Sequence, residues 1–189
     1  MNSDRISTVE SPIRENVFSG GKSLAFVNYI IQRCQSDNGI KAALKRADNP
    51  ATEYQSWDVL AGFRIDLEDD RQRLPYEMIA AAIARTEIKK NGTIKIGQAI
   101  AHCYPEENRS DQAKSKLRRL LACNSVPEML GILRPLFRLI ESRSGARLDY
   151  AGLLDDLLWF GNDSSRTRIK ARWAQGFYGG TVEEVDDES

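Results

Sequence analysis

Apolar residues recur along this chain at helical intervals, and no segment shows the sustained alternation of a half-buried strand. Leu24, Val27, Ile30 and Ile31 make a first stripe, and Ile40, Ala43, Leu44 and Ala47 a second that Asp48-Asn49-Pro50 stops. These two stripes predict a pair of short helices in a hairpin. Tyr54, Trp57, Leu60 and Ala61 keep the helical spacing between Glu53 and Phe63. After an acidic linker, Pro75 is expected to open a helix from Tyr76 to Thr86, in which Ala80, Ala81, Ala82 and Ala84 suit close helix–helix packing. Lys89-Lys90-Asn91-Gly92 reads as a turn, and Ile96 to Cys103 as a short helix that Pro105 ends.

From Asp111 onward the pattern is helical almost throughout. Leu117, Leu120 and Leu121 fall at i, i+3 and i+4, and Met129, Leu133, Leu136, Phe137 and Ile140 continue the period in a second helix. Pro135 interrupts that helix by removing one hydrogen bond to residue 131, where a glycine can ease a kink. Asp149 reads as the N-cap of a helix carrying Leu153, Leu154, Leu157 and Trp159; a last helix carries Ile169, Trp173 and Phe177. Trp57, Trp159, Trp173 and Phe177 all fall on apolar stripes, so they are predicted as core rather than as stacking platforms for bases. The expected fold is all-α: a compact bundle of roughly eight or nine helices, as one domain or one bilobed unit. Residues 1–22, ending in Ser19-Gly20-Gly21, are expected to be a mobile arm, residues 23–179 the helical domain, and residues 180–189 an acidic, disordered tail.

Net charge is uninformative for the whole chain, with 27 basic and 27 acidic residues, but its distribution is not. Between Arg109 and Arg147 nine basic residues face three acidic ones, while Glu183, Glu184, Asp186, Asp187 and Glu188 concentrate negative charge in the tail. The cations sit on the helical frame: Arg134 and Arg138 one turn apart, Lys114 and Arg118 on one edge, Lys116 and Arg119 on another. Arginine dominates, and its planar fork donates two parallel hydrogen bonds to a phosphate. The final helix adds Arg166, Arg168, Lys170 and Arg172. This pattern points to a nucleic acid or another polyanion, with no warrant for reading bases.

Other chemistries are poorly supplied. Gly21-Lys22-Ser23 imitates the end of a phosphate-binding loop, but the position of that motif's first glycine holds Asn16 and no strand precedes it. His102 is the sole histidine, which disfavours a metal site or a His-based nucleophilic triad and assigns that residue to packing or capping. Asp155-Asp156 and Glu68-Asp69-Asp70 are sequence neighbours that point about 100° apart on a helix, unsuited to sharing a proton. Cys34, Cys103 and Cys123 form no Cys-x-x-Cys pair. No cofactor and no metal are therefore expected. No apolar run is long enough for a membrane span and Met1 to Glu10 is polar, so the expected location is a reducing cytoplasm without membrane contact.

Gly39-Ile40-Lys41-Ala42-Ala43-Leu44-Lys45-Arg46-Ala47-Asp48-Asn49-Pro50, Ile96-Gly97-Gln98-Ala99-Ile100-Ala101, Leu117-Arg118-Arg119-Leu120-Leu121-Ala122 and Ala171-Arg172-Trp173-Ala174-Gln175-Gly176-Phe177-Tyr178, taken in order, resemble the CasB family, the small subunits of the type I-E CRISPR surveillance complex Cascade. The likeness spans residues 24 to 178 and leaves out the arm and the tail. It implies an all-α protein without enzymatic activity, present as two copies stacked along the inner face of the complex. There it would lie beside guide CRISPR RNA and the repeated backbone subunits, with a large subunit reading the protospacer-adjacent motif. The small subunits would contact target DNA and the displaced strand and help hold the R-loop open. On this reading the nucleic-acid-facing set is Lys45, Arg46, Lys114, Lys116, Arg118, Arg119, Arg134 and Arg138, followed in rank by Arg168, Lys170 and Arg172. The alternative is a free-standing helical DNA- or RNA-binding regulator, although no clear helix-turn-helix is present.

Overall fold

The computed structural model describes residues 19–145 and 147–179, so the first 18 residues and the acidic tail of the sequence reading lie outside the described residues. Among the described residues nine α-helices are formed: α1 (Ser19–Ser36), α2 (Asn38–Leu44), α3 (Trp57–Gly62), α4 (Asp70–Thr86), α5 (Ile96–Ala101), α6 (Asp111–Ala122), α7 (Val126–Arg143), α8 (Tyr150–Trp159) and α9 (Asp163–Tyr178). Short 3-10 turns precede α3 and α6. The only extended pairing among these residues is an isolated bridge between Ile94 and Leu148. The all-α expectation is met, and α1 reaches back to Ser19, so residues 19–22 are helical rather than part of an arm.

Polar caps set most helix starts. Asp37 accepts from the Gly39 and Ile40 amides, Asp69 from Arg71, Ser110 from Ala113, Ser125 from Glu128, Asp149 from Gly152 and Asn162 from Ser165. Each satisfies an N–H that would otherwise lack a partner at the helix end. The predicted Asp149 cap is thus observed. The Asp69 cap corrects another expectation: Pro75 lies inside α4 and does not open it. The helix starts six residues earlier because Asp69 caps it and Arg73 ties the polar first turns to Glu53 at 2.5 Å. Helix α7 likewise runs on through Pro135.

Helix α4 is the hub. Every residue from Pro75 to Ala84 is buried, and the helix packs on α1, α2, α7 and α8. A helix apolar on all sides belongs at the centre of the layers, and its alanines let the neighbours approach closely. Helix α5 lies on α9 so tightly that a Cβ on Gly97 would stand 2.0 Å from the Trp173 carbonyl oxygen. Nearly all the buried apolar residues, from Phe26 through Phe177, form one connected cluster. Within it Leu117 and Leu120 of α6 and Met129, Leu133, Leu136, Phe137 and Ile140 of α7 turn inward, as their spacing predicts.

Two of the predicted core aromatics are corrected. Trp173 and Phe177 are buried, but Trp57 and Trp159 are 36% and 43% exposed. Trp57 starts a short helix and Trp159 ends one, where the periodic stripe no longer faces a neighbour on every side.

Candidate nucleic-acid interface

Helices α6 and α7 set out the basic residues. Their inward stripes anchor both against the core, which leaves Arg118, Arg119 and Arg138 exposed and Lys116 half-buried. Among the described residues none of these four has a carboxylate within salt-bridge distance. On α6 the geometry of 100° per residue puts Lys116 and Arg119 on one edge, with Arg118 and Lys114 on the other side of the exposed crest. Lys116 and Arg119 border a groove of about 190 Å³ whose floor is Ile132, Pro135, Leu136 and Leu139 of α7. Sequence periodicity cannot show this groove, because it depends on how the two helices pack.

The remaining candidates are held by partners within the fold, some charged and some neutral. Lys114 is 3.7 Å from Asp111, one turn earlier on the same helix. Lys45 shares Glu87 with Lys41, at 3.3 and 2.7 Å, and Arg46 donates to the Gln55 side-chain oxygen at 3.2 Å. Arg134 turns from Arg138 toward the corner after α2: its Nε donates to Asp48 Oδ2 at 3.1 Å and its Nη2 to the Asp48 carbonyl oxygen. Arg85 donates to the same carboxylate from α4. Asp48 is buried, which alone would raise its carboxyl, yet the guanidinium groups of Arg85 and then Arg134 outweigh burial and hold it below the usual range. Arg134 is thereby a tie between α7 and the α2 corner. In the second-ranked set, Arg168 bonds the Ser164 carbonyl oxygen at 3.4 Å, Lys170 the Asn124 side chain at 3.2 Å, and Arg172 the Asp156 carboxylate.

The acidic residues behave in two ways. Asp156 is drawn in beneath Trp173, whose Nε1 donates to it at 2.6 Å, and burial raises its carboxyl despite that bond and Arg172. Asp155 accepts from the Ser23 hydroxyl at 2.6 Å, so the serine that imitates a phosphate loop is a tie between α1 and α8. Glu77, which sequence reading passed over, is buried in α4 and accepts from Trp57 Nε1 at 3.0 Å. His102 follows the last turn of α5 and its amide donates to the Gln98 carbonyl oxygen. No group of three His, Cys, Asp or Glu side chains among the described residues could hold a metal ion, and no helix there is long and apolar enough to cross a membrane.

Comparison with known proteins bears on the fold and the family. A crystal structure of CasB from M. ruber superposes with a TM-score of 0.67 at 27% identity, covering 84% of this chain and 93% of that one. The Thermus thermophilus protein TTHB189, a CRISPR-associated protein of the Cse2 family, gives a TM-score of 0.67 at 19% identity over 83% and 97%, and CasB from Thermobifida fusca 0.64 at 16% over 83% and 98%. The latter two likenesses speak for the fold. No curated protein matches the sequence significantly. The family described as CRISPR-associated protein Cse2 matches residues 41–178, a stretch that holds α6, α7 and all the basic candidates, and this chain belongs to that family.

Proposed function

We propose that the chain is the non-catalytic small subunit of a type I-E CRISPR RNA-guided surveillance complex, in which its basic face stabilises the R-loop without reading sequence. The observation that carries this reading is a group of cations on α6 and α7 that meet no carboxylate among the described residues, Lys116, Arg118, Arg119 and Arg138 among them, within the family-matched stretch. A guide complex delegates sequence to base pairing, so its walls need charge and spacing rather than base-reading side chains. Strand exchange between duplex and hybrid is nearly balanced, and a few phosphate contacts to target or displaced strand suffice to tip it. Lys45, Arg46, Lys114 and Arg134 stand behind these four because each would first have to leave a partner in its own fold; Arg168, Lys170 and Arg172 follow for the same reason. The partners on this reading are guide RNA, target DNA, the displaced strand, the backbone and large subunits, and a second copy of the chain.

The test begins with purification of the tagged chain from its native cells, with sequencing of bound RNA and mass analysis of bound proteins. Recovery of CRISPR guide RNA with a large and a repeated subunit supports the reading; recovery of neither from cells expressing a type I-E locus overturns it. In the reconstituted complex, R118A/R119A should shorten R-loop lifetime and flatten the salt dependence of target binding by about 1.4–1.8 in log–log slope, at 0.7–0.9 per lost phosphate contact. An unchanged slope would remove both arginines from the interface.

A further inference from the structure

The groove between α6 and α7 has an apolar floor that phosphate contacts leave unused, and α7 carries a proline that its own folding does not require. We propose that this groove is a subsite for the base of an unpaired nucleotide, whose flanking phosphates lie on Lys116 and Arg119, so that this face grips the displaced DNA strand in preference to duplex. The inference rests on the reading of this face as the nucleic-acid interface and names the strand that it takes.

Only residues 123–125 separate α6 from α7, and the two helices leave between them a groove of about 190 Å³ lined by Lys116, Arg119, Ile132, Pro135, Leu136 and Leu139. Its chemistry is divided: two cations at the rim, four apolar residues below and no carboxylate. A duplex keeps its bases stacked inside and offers phosphates and base edges, so it satisfies the cations and leaves the floor in water. An unpaired nucleotide carries both kinds of surface, a charged phosphate and a base face that apolar side chains cover once it is unstacked. The groove is smaller than the roughly 300–1,000 Å³ of sites that enclose a whole small molecule, which suits one base of a polymer whose backbone stays outside. Lys116 and Arg119 are three positions apart, with Cβ atoms about 5–6 Å from one another, so these two long side chains reach the phosphates on either side of a single nucleotide.

Pro135 is an independent observation. A proline in a helix interior forfeits one backbone hydrogen bond and crowds the carbonyl one turn earlier, yet α7 runs from Val126 to Arg143 with Pro135 inside it. Core packing does not account for it: Leu133, Leu136 and Phe137 are buried, whereas Pro135 is exposed. What Pro135 supplies is a rigid apolar ring in the groove lining, and half-buried Ile132 and Leu139, one turn to either side, extend it into a strip. None of the lining side chains accepts a hydrogen bond, so a ribose 2′-hydroxyl gains no side-chain partner there, and the lining suits DNA. In an R-loop the guide and target strands are paired, and the displaced strand is the one whose bases are free.

Fluorescence anisotropy with the full-length chain tests this against a DNA 20-mer, the same sugar–phosphate backbone without bases, and the matching duplex. The intact strand should bind about three- to tenfold tighter than the abasic one, at the lower end of what covering a base with side chains gives. Both strands should show the same log–log salt slope, because their phosphates are the same. P135A/L139Q should bring the intact-to-abasic ratio toward one and shift the strand-to-duplex ratio toward duplex by the same factor. P135A alone should lower the first ratio while melting no lower than the parent, since alanine suits a helix interior better than proline; a residue kept for stability would do the reverse.

Equal affinity for intact and abasic strands overturns the subsite. A ratio that survives P135A/L139Q places the base contact elsewhere and overturns it as well. An RNA 20-mer that binds tighter than DNA, with an advantage lost in P135A/L139Q, overturns the assignment to the displaced strand. K116A/R119A separates the two readings: a flattened slope together with equal affinity for both strands in the parent leaves the interface standing without the subsite, whereas an unchanged slope removes the interface and the subsite with it.

Discussion

At the scale of single residues, the structure separates cations that hold the fold from cations available to a ligand. Arg134 and Arg138 are one turn apart on α7, and spacing alone makes them equivalent, yet Asp48, 86 positions away, claims Arg134. Arg134→Ala should cost about 1–3 kcal/mol in urea unfolding, because the Asp48 carboxylate and carbonyl lose donors in a buried corner. Arg138→Ala should stay within about 0.5 kcal/mol of the parent while weakening nucleic-acid binding. Equal losses of stability would mean that Asp48 is not the keystone of that corner. Glu77 gives a prediction in pH. Burial pushes its carboxyl up to about 7, with Glu53 adding to the rise and the Trp57 indole and Arg73 opposing it. Its ordinary value is 4.5, so between there and about 7 the native state binds more protons than the unfolded chain, and stability falls as pH rises through that window. The loss above it corresponds to about 3 kcal/mol. Glu77→Gln keeps an acceptor for Trp57 and has no charge to bury, so it should flatten the dependence and be more stable than the parent at pH 8. Denaturant unfolding at pH 5 and pH 8 checks this, and a parallel shift at both values would rule out Glu77 as the titrating group. Charge clustering was visible in the sequence because it is local; charge pairing was not, since Lys45 meets its carboxylate 42 residues away.

At the scale of elements, periodicity located the helices and their buried stripes, because a 3.6-residue repeat of Leu, Ile and Phe has no other stable use in a chain of this size. It was weakest where a helix end depends on a cap or on a distant contact. Helix α4 extends back past Pro75 because Asp69 caps it, and Trp57 and Trp159 stay partly exposed because at those ends α3 and α8 are not enclosed on every side. Helix contacts impose glycine at one site and not at another. Gly97 has no room: an added Cβ meets the Trp173 backbone, so Gly97→Ala should force α5 off α9 and cost about 1–3 kcal/mol or more. Gly131 of α7 has open space around its Cα, so Gly131→Ala should stabilise by about 0.5–1 kcal/mol through helix propensity and the unfolded state. Thermal melts of the two variants check the pair. Shifts of the same sign would contradict the close α5–α9 approach or the unstrained α7.

At the scale of the whole molecule, a chain of zero net charge can still present a field to a polyanion if its charges are segregated. Five carboxylates lie within residues 183–188, and the basic surplus is concentrated on α6 and α7, so what a nucleic acid meets depends on the face it approaches. Net charge and local charge make different predictions, and a matched pair of variants separates them. Removing Lys116, Arg118, Arg119 and Arg138 changes net charge by the same four units as removing Lys22, Arg64, Lys89 and Lys90, which are exposed but lie outside α6 and α7. If binding were a response to total charge, both quadruple variants would weaken it alike. If α6 and α7 form the interface, the first set should flatten the log–log salt slope by about 2.8–3.6 and the second should leave it nearly unchanged. Among the described residues neither set includes a cation that bridges two elements through a carboxylate, so both proteins should melt close to the parent, and the comparison reads binding rather than folding. Equal slopes in the two variants would dissolve the interface into a general electrostatic attraction, and with it the reason for assigning the R-loop contact to this face.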